Sequence, residues 1–240
     1  MTDTTIGLHL VLSAEMIGDA TPESFATGIS DLLAAVPVAS AEFVPPQIEH
    51  DTLTEDLWWR PFLRTLVPGI QRYGTAALLR IPATSSAWFD TYRAAGMDGV
   101  VVTDARYAKI ARDAAGQSDI VGSLTGPIAG PAASARHDAM VAAESGADVV
   151  IFRIDSAEDD ASAGAGSGKD ETGNGDWRTV QWWTEMMEAP CIAIIPPTPE
   201  AAQSAKAAAA DFVGLDHRLW AEPNIRERLT ALNRILNPGR

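Results

Sequence analysis

The sequence has a single cysteine, few cations and no long apolar run. Among its 240 residues the cysteine is Cys191, so no disulfide can form within the chain. Cys191 lies in a short apolar run with no histidine beside it, which indicates a small buried residue and not a nucleophile. No stretch approaches the roughly 18 apolar residues that a membrane-spanning helix needs.

Cations are scarce relative to acids. The chain has 18 Lys and Arg against 32 Asp and Glu, a formal net charge of -14. Such a chain repels phosphate backbones and anionic lipid, so nucleic acid and membranes are not expected partners. A small anion stays compatible, because a few local cations override the overall field. The first residues show no basic segment before a long apolar run, so we expect no secretory signal and predict a cytoplasmic protein.

Short apolar runs alternate eight times with longer amphipathic segments. The predicted strands are residues 6–12, 40–44, 76–81, 99–103, 119–124, 148–154, 191–195 and 212–215. The predicted helices are residues 21–36, 54–73, 85–95, 105–115, 131–145, 176–188, 199–210 and 224–236. Runs such as 149–152 are apolar without alternation, as in parallel strands buried on both faces. With no Gly-x-Gly-x-x-Gly after the first strand, a single-domain (β/α)8 TIM barrel over residues 1–240 is favoured over an open sheet.

A short phrase recurs within this alternation of strands and helices, and one glycine-rich segment interrupts it. The phrases Gly96-Met97-Asp98, Gly146-Ala147-Asp148 and Ala210-Asp211 precede the fourth, sixth and eighth strands. They indicate a geometry that recurs in every second unit, with chance similarity of helix ends as the alternative. Residues 156–175 are small, polar and glycine-rich, which predicts a flexible loop after the sixth strand. It is either a lid over an active site or a passive insertion.

Several phrases, in order and spacing, resemble the thiamine phosphate synthase/TenI family over nearly the whole chain. They are Leu8-His9-Leu10-Val11, residues 95–100, residues 144–150, residues 189–194 and residues 210–214. The resemblance implies a TIM barrel that joins a pyrimidine diphosphate to a thiazole phosphate and releases pyrophosphate. In that family magnesium holds the diphosphate, while TenI-type paralogues share the barrel and have other roles.

The residues that carry the family's chemistry are mostly replaced. After the seventh strand the family has Gly-Gly, whose N–H groups approach a phosphate, and here Ile195-Pro196-Pro197 stands there. Thr125 keeps one position of the family's Ser-Thr-His phrase, and Lys169 is the candidate for its lysine. Asp104 is the candidate metal ligand, although Arg106 occupies the aligned position. No cofactor is certain, and Mg²⁺ is expected only if synthase activity is retained.

Polar residues at the carboxyl ends of the strands are the site candidates, because TIM-barrel sites lie there. The candidate ligand-binding residues are Glu42, Arg80, Arg153, Asp155, Asp216 and Arg218, and the candidate catalytic residues are His217, Thr125 and Lys169. Arg80 and Arg153 lie within apolar strands. Each either forms an ion pair with an acid such as Glu42 or Asp155, or binds an anion through its guanidinium group.

Three hypotheses for function follow. The first is a synthase/TenI-like barrel with a degenerate site that binds a small phosphorylated or anionic molecule. The second is an active synthase with a rearranged site. The third is a non-catalytic partner protein, in which one tryptophan of each adjacent pair, residues 58–59 and 182–183, faces outward and forms a homo-oligomer interface. Packing between neighbouring helices is the alternative for these tryptophans.

Overall fold

Eight parallel strands close into a barrel in chain order, with the last strand paired to the first. The computed structural model describes residues 5–46, 59–81, 86–125, 132–154 and 177–239. The strands are β1 Gly7–Ser13, β2 Ser40–Val44, β3 Ala76–Ile81, β4 Gly99–Val102, β5 Ile120–Leu124, β6 Val149–Arg153, β7 Cys191–Ile195 and β8 Phe212–Leu215. The TIM-barrel prediction is therefore confirmed.

A helix follows each strand along the chain. The helices are α1 Pro22–Ala35, α2 Arg60–Gln71, α3 Ser86–Ala95, α4 Ala108–Ala114, α5 Ala132–Glu144, α6 Trp177–Met186, α7 Pro199–Ala207 and α8 Ile225–Leu236. The sequence predicted the fourth helix from residue 105, but Ala105–Tyr107 forms a 3₁₀ turn before it. Pro68 lies inside α2, and the helix continues through it.

The core has two parts because successive strand residues point to opposite faces of the sheet. The outward-facing residues and the helices form the larger cluster. Within it Trp59 has no exposed surface and stacks between Phe43 and Trp88, with ring centroids 5.9 and 5.8 Å apart. Such stacks stabilise a core by about 0.5–1.5 kcal/mol per pair beyond area burial. They anchor α2 and α3 to the outside of the barrel.

The second tryptophan pair packs between helices. Trp183 is fully buried, and its indole N–H donates to the Ala189 carbonyl at 2.7 Å. Trp182 is half-buried against the core, and the guanidinium of Arg136 lies 5.0 Å from its ring centroid. The contact between α5 and α6 therefore accounts for Trp182, while the homo-oligomer interface stays a prediction. Trp58 lies outside the described residues.

The repeated phrases before β4, β6 and β8 have a common structural cause. The aspartate in each phrase accepts a hydrogen bond from a backbone N–H near the start of the preceding strand. Asp98 accepts from Ala77 at 2.7 Å, Asp148 from Val121 at 2.8 Å, and Asp211 from Cys191 at 2.9 Å. Each contact connects two neighbouring strands at the amino-terminal end of the barrel. We refer to these three contacts as the aspartate latches.

The helices before these strands end in the same way. Gly96 and Gly146 adopt positive φ angles of 71° and 95°, and Ala209 adopts 56° at the equivalent position. The N–H of each of these residues donates to the carbonyl three residues earlier. An L-residue with a side chain is strained in this region by about 1–2 kcal/mol, whereas glycine is not. This turn also explains why α7 ends at Ala207 and not at the predicted residue 210.

Residues close to both ends of the described chain are joined by hydrogen bonds. The side-chain oxygen of Asn237 accepts from the Ile6 N–H at 2.9 Å, and its amide donates to the Ile6 carbonyl at 3.0 Å. The residue after α8 is thus fixed to the residue before β1. In the described part of the chain, no helix has the length and apolar character needed to cross a membrane.

Substituting Ala209 with glycine is expected to raise the free energy of unfolding by about 0.5–1 kcal/mol. Relief of the strained φ outweighs the greater entropy of glycine in the unfolded chain. Urea unfolding followed by circular dichroism measures the change. Ala207→Gly is the matched control, because Ala207 is also exposed but helical. It should lose about 0.5–1 kcal/mol. Equal destabilisation by the two substitutions would rule out strain at Ala209.

Candidate functional site

The space enclosed by the strands, here called the lumen, is filled by layers of four side chains. In a barrel of this kind each layer comes from alternate strands. The strand registers give four such layers. From the amino-terminal end they are Ser40, Gly99, Val149 and Phe212; His9, Leu78, Gly122 and Ile192; Glu42, Val101, Ile151 and Gly214; and Val11, Arg80, Leu124 and Ile194.

Most of this lumen is a compact apolar core. Eight of its apolar residues, Val11 among them, form a buried cluster that is separate from the outer core. Gly122 and Gly214 leave room for larger neighbours. A Cβ on Gly214 would lie 2.8 Å from Ile194 and 3.3 Å from the His9 ring. The bare backbone of Gly214 therefore makes space for an imidazole inside the barrel.

A chain of four polar side chains crosses this apolar core, with one member in each layer. Ser40 Oγ lies 2.8 Å from His9 Nδ1, and His9 Nε2 lies 3.4 Å from Glu42 Oε2. Arg80 closes the chain, donating from Nε to Glu42 Oε1 at 2.5 Å and from Nη2 to Oε2 at 2.8 Å. We call these four residues the polar ladder. It runs from the bottom layer to the carboxyl-terminal opening of the barrel, the mouth.

The Glu42–Arg80 pair sets the electrostatics of the ladder. Glu42 and His9 have no exposed side-chain surface, and Arg80 is 17% exposed. Burial alone raises the pKa of Glu42, but the charge of Arg80 and hydrogen bonds from His9 and Arg80 lower that pKa to about 2. Glu42 is therefore a carboxylate at neutral pH, held by a bidentate ion pair with Arg80. Of the two interpretations of Arg80, the ion pair with Glu42 is the one observed.

The mouth is lined by the residues that follow the top layer of the lumen. Its charged residues come from the end of β6 and from the turn after β8. Arg153 ends β6 with an exposed side chain, and Asp216 follows β8. Asp216 accepts from the Arg218 backbone N–H at 2.9 Å and from Arg218 Nε at 2.8 Å. The aspartate thus orients the guanidinium of Arg218. Arg80, Arg153, Asp216 and Arg218 are consequently gathered at one end of the barrel.

Asp104 and Thr125 have other structural partners. Asp104 caps the 3₁₀ turn after β4, and Arg106 donates to both of its carboxylate oxygens. The hydrogen bond from Arg106 lowers the pKa of Asp104. Thr125 is buried, and its hydroxyl donates to the Ile151 carbonyl at 3.2 Å. The metal-binding role of Asp104 and the catalytic role of Thr125 stay predictions.

The described residues do not offer a fitting site for Mg²⁺. A magnesium ion needs free carboxylate oxygens in octahedral arrangement, and both oxygens of Asp104 are engaged by Arg106. Across the described ranges, no group of three His, Cys, Asp or Glu side chains could hold a metal ion.

The turn after β7 lacks the amides that would bind an anion. Pro196, Pro197 and Pro199 have no N–H, and the Thr198 N–H donates to the Pro196 carbonyl at 2.7 Å. The Ala201 N–H is used as well, donating to the Thr198 hydroxyl that caps α7. The expectation drawn from Ile195-Pro196-Pro197 therefore has a structural basis.

Some predicted site residues lie beyond what the structure describes. Asp155, Lys169 and the whole loop of residues 156–175 fall outside the described residues. His217 begins the 3₁₀ turn His217–Ala221 after β8, but its side chain is not described. Cys191 is a buried thiol whose pKa is raised to about 12 by burial, in agreement with the structural role expected for it.

The sequence reasoning missed His9 and Ser40 as members of the site. A signal was present, because Ser40 and Glu42 are two residues apart and so share one face of their strand. His9 and Arg80 lie on the two strands that flank it. Recognising the ladder needed the register between the strands as well as the alternation within each one.

Comparison with known proteins gives two kinds of similarity, and no model of a protein family matches the chain. The thiamine-phosphate synthase of Rhodospirillum centenum is 40% identical over 88 residues, 37% of this chain and 39% of that protein. That of Erythrobacter litoralis is 34% identical over 90 residues, 37% of this chain and 38% of that protein. The matched segment thus spans about two fifths of each relative.

Solved structures match over nearly the whole chain at low identity. A thiamine phosphate pyrophosphorylase from Pyrococcus furiosus has a TM-score of 0.65 and 13% identity, with 98% of this chain and 96% of that chain covered. A tryptophan synthase from M. tuberculosis also has a TM-score of 0.65, with 14% identity, and covers 99% of this chain and 94% of that chain. At these identities the structures show a shared fold.

Replacing Glu42 with glutamine is expected to lower the free energy of unfolding at pH 7 by about 3 kcal/mol, because Arg80 then keeps a poorly exposed charge without its partner. The pKa of Glu42 is depressed in the folded state, so its stabilisation is present above the ordinary value of 4.5 and is lost as pH falls through about 2. The difference between the two proteins should shrink over that window. Urea unfolding at several pH values measures it.

The double variant Glu42→Leu, Arg80→Met is the control for this experiment. It removes both charges together, so its stability relative to the natural protein should lack the pH-dependent step expected for Glu42→Gln, apart from a constant loss of about 1–3 kcal/mol for the hydrogen bond that His9 gives up. A deficit of Glu42→Gln that stays constant down to pH 2 would show that charge at Glu42 is not its cause.

Proposed function

Because this chain is a thiamine phosphate synthase-like barrel, we propose that it binds a small phosphorylated or otherwise anionic molecule at its mouth without catalysing the synthase condensation. The ligand contacts Arg80 and Arg153, with Arg218 at the edge of the site. Glu42 and Asp216 orient two of these guanidinium groups. Catalytic roles for His217, Thr125 and Lys169 and a ligand-binding role for Asp155 stay predictions from the sequence.

The observation that carries this proposal is the position of Arg80. Two of its five N–H groups point down to Glu42, and its Nη1 makes no hydrogen bond to any described residue. The rest of its layer is apolar, consisting of Val11, Leu124 and Ile194. A guanidinium edge above an apolar floor is the combination that small-molecule sites use to hold and orient an anion. Arg153 lies in the mouth, directly above this floor.

Charge supports an anion in this place. The chain as a whole carries a net charge of -14, yet its described mouth and upper lumen contain Arg80, Arg153 and Arg218 against Glu42 and Asp216. Cations at close range act on an anion more strongly than charges beyond about 10 Å, which salt screens. The mouth is therefore a favourable place for a small anion on an otherwise acidic protein.

The turn after β7 is the reason for proposing that the chain binds an anion but does not catalyse the synthase condensation. Three prolines lie within four residues there, and the Thr198 N–H is already used. A phosphate held by backbone amides is not available in this turn, so side chains must do the binding. A cytoplasmic location and the absence of nucleic-acid and membrane partners remain predictions from composition.

The condensation itself can be tested directly. Incubation of the protein with the pyrimidine diphosphate, the thiazole phosphate and Mg²⁺ should yield no thiamine phosphate above a control without protein, as followed by chromatography. Product formed at a rate that depends on protein concentration would refute this part of the proposal. It would favour an active synthase with a rearranged site.

Binding can be tested with inorganic pyrophosphate and sulfate in calorimetric titrations. Arg153→Gln should weaken binding about tenfold or more, since a hydrogen bond to a charged group contributes about 1.5–3 kcal/mol. Arg64→Gln is the matched control, because it removes the same charge from an exposed position on α2. Equal affinities for both variants, or no binding of either anion to the natural protein, would contradict the proposed site.

A further inference from the structure

The polar ladder places two titratable side chains where a folded barrel normally has apolar ones. Within the four layers of the lumen, His9 and Glu42 are the residues that carry an imidazole and a carboxyl group. Both are completely buried. The remaining members of the layers are apolar residues or glycines, apart from Ser40 and Arg80. Such a group, enclosed by apolar side chains, responds strongly to any change in nearby charge.

The contacts of His9 suit both of its protonation states. In the neutral ring, Nε2–H can donate to Glu42 while Nδ1 accepts from the Ser40 hydroxyl. In the protonated ring, both nitrogens donate, and the Ser40 hydroxyl rotates to accept. The distances of 2.8 Å to Ser40 and 3.4 Å to Glu42 fit either arrangement. Both ring nitrogens of His9 therefore have a hydrogen-bond partner in either protonation state.

Among the described residues, the charged side chains that face His9 belong to the ladder. Ser40 and Glu42 face it from β2, and Gly214 lies beside its ring on β8. Its own layer contributes Leu78, Gly122 and Ile192, which carry no charge. Glu42 is neutralised by Arg80 one layer above. The net charge near His9 therefore depends on whether Arg80 pairs with Glu42 alone or also with a bound anion.

We propose that an anion bound by Arg80 at the mouth is taken up together with a proton on His9. The anion adds negative charge to a neutral Glu42–Arg80 pair, and the imidazolium of His9 compensates for it from the opposite side of Glu42. Ser40, His9 and Glu42 then act as positioning residues that make anion binding pH dependent. This inference rests on the proposed anion site and adds its regulation by pH.

The linkage is reciprocal. If the anion favours the protonated imidazole, protonation must strengthen anion binding by the same factor. Histidine is the side chain that exchanges its proton between about pH 5 and about pH 8. Affinity should accordingly fall as pH rises. A coupling of typical size changes affinity about tenfold, within the usual range of about 5–150-fold.

Sulfate is the probe of choice, because it stays a dianion throughout this pH range and its own titration cannot contribute. Calorimetric titrations at about pH 6.5 in buffers with different heats of ionisation give the number of protons taken up per sulfate bound. We expect an uptake of up to about one proton and an affinity about tenfold higher at about pH 5.5 than at about pH 8.

His9→Gln is the decisive variant. Glutamine can keep the hydrogen bonds to Ser40 and Glu42 but cannot titrate, so sulfate should still bind, with neither proton uptake nor the tenfold change with pH. His137→Gln, at an exposed position on α5, is the control and should behave like the natural protein. Proton uptake that persists in His9→Gln, or that disappears in His217→Gln instead, would overturn the inference.

The outcomes separate this inference from the proposal on which it rests. Sulfate binding without proton uptake overturns the linkage and leaves the anion site standing, whereas a natural protein that binds no sulfate overturns both. Should His9→Gln fail to fold, nuclear magnetic resonance of the natural protein labelled at histidine replaces it. The His9 ring signals should then move toward the imidazolium form when sulfate is added at constant pH, and unchanged signals would reject the proposal.

Discussion

A carboxylate without exposed surface, in the third layer of a barrel, must be neutralised from within, and the interior of this molecule is arranged around that requirement. An isolated buried charge costs several kcal/mol, so Glu42 needs a cation and further donors. Arg80 and His9 supply them from the two neighbouring strands. One glutamate thereby determines the polar residue of the layer above it and that of the layer below it.

The same requirement determines what the mouth can offer to a ligand. The bidentate ion pair with Glu42 fixes Arg80 at the top of the lumen. Its remaining N–H groups therefore have a defined direction that does not depend on contacts with a loop. In the β7 turn, where amides bind a phosphate in the family that the sequence resembles, prolines remove the donors. The likeness to thiamine phosphate synthases consists of a shared fold and of sequence identity over about two fifths of the chain.

Much of the fold could be predicted from the sequence, because it is encoded locally. The bounds of β2, β3, β7 and β8 agree with the predicted ones to the residue, since each is a short apolar run between clear helix signals. Helix ends were harder where a residue acts against its usual preference. Ala209 occupies a position that glycine fills in the two equivalent turns, so nothing in the sequence marked it as the end of α7.

The site was less accessible to sequence reasoning for a different reason. Glu42 and Arg80 were identified as polar residues in apolar strands, and their pairing was one of two alternatives. His9 and Ser40 were not connected to them, because the connection lies in the register between β1, β2 and β3. Register is a property of the assembled sheet, so it cannot be read from the sequence of each strand taken separately.

The aspartate latches join β3 to β4, β5 to β6 and β7 to β8, and Asn237 holds the segment after α8 to the segment before β1. The barrel can therefore be regarded as a closed ring of strands that contains three latched pairs. A circular permutant opened between β4 and β5 keeps every latch within one uninterrupted segment, whereas one opened between β3 and β4 places the two partners of a latch at opposite ends of the new chain. The pairs β3–β4, β5–β6 and β7–β8 are accordingly the segments that a rearrangement of this barrel should keep together, whereas none of the three latches joins β1 to β2.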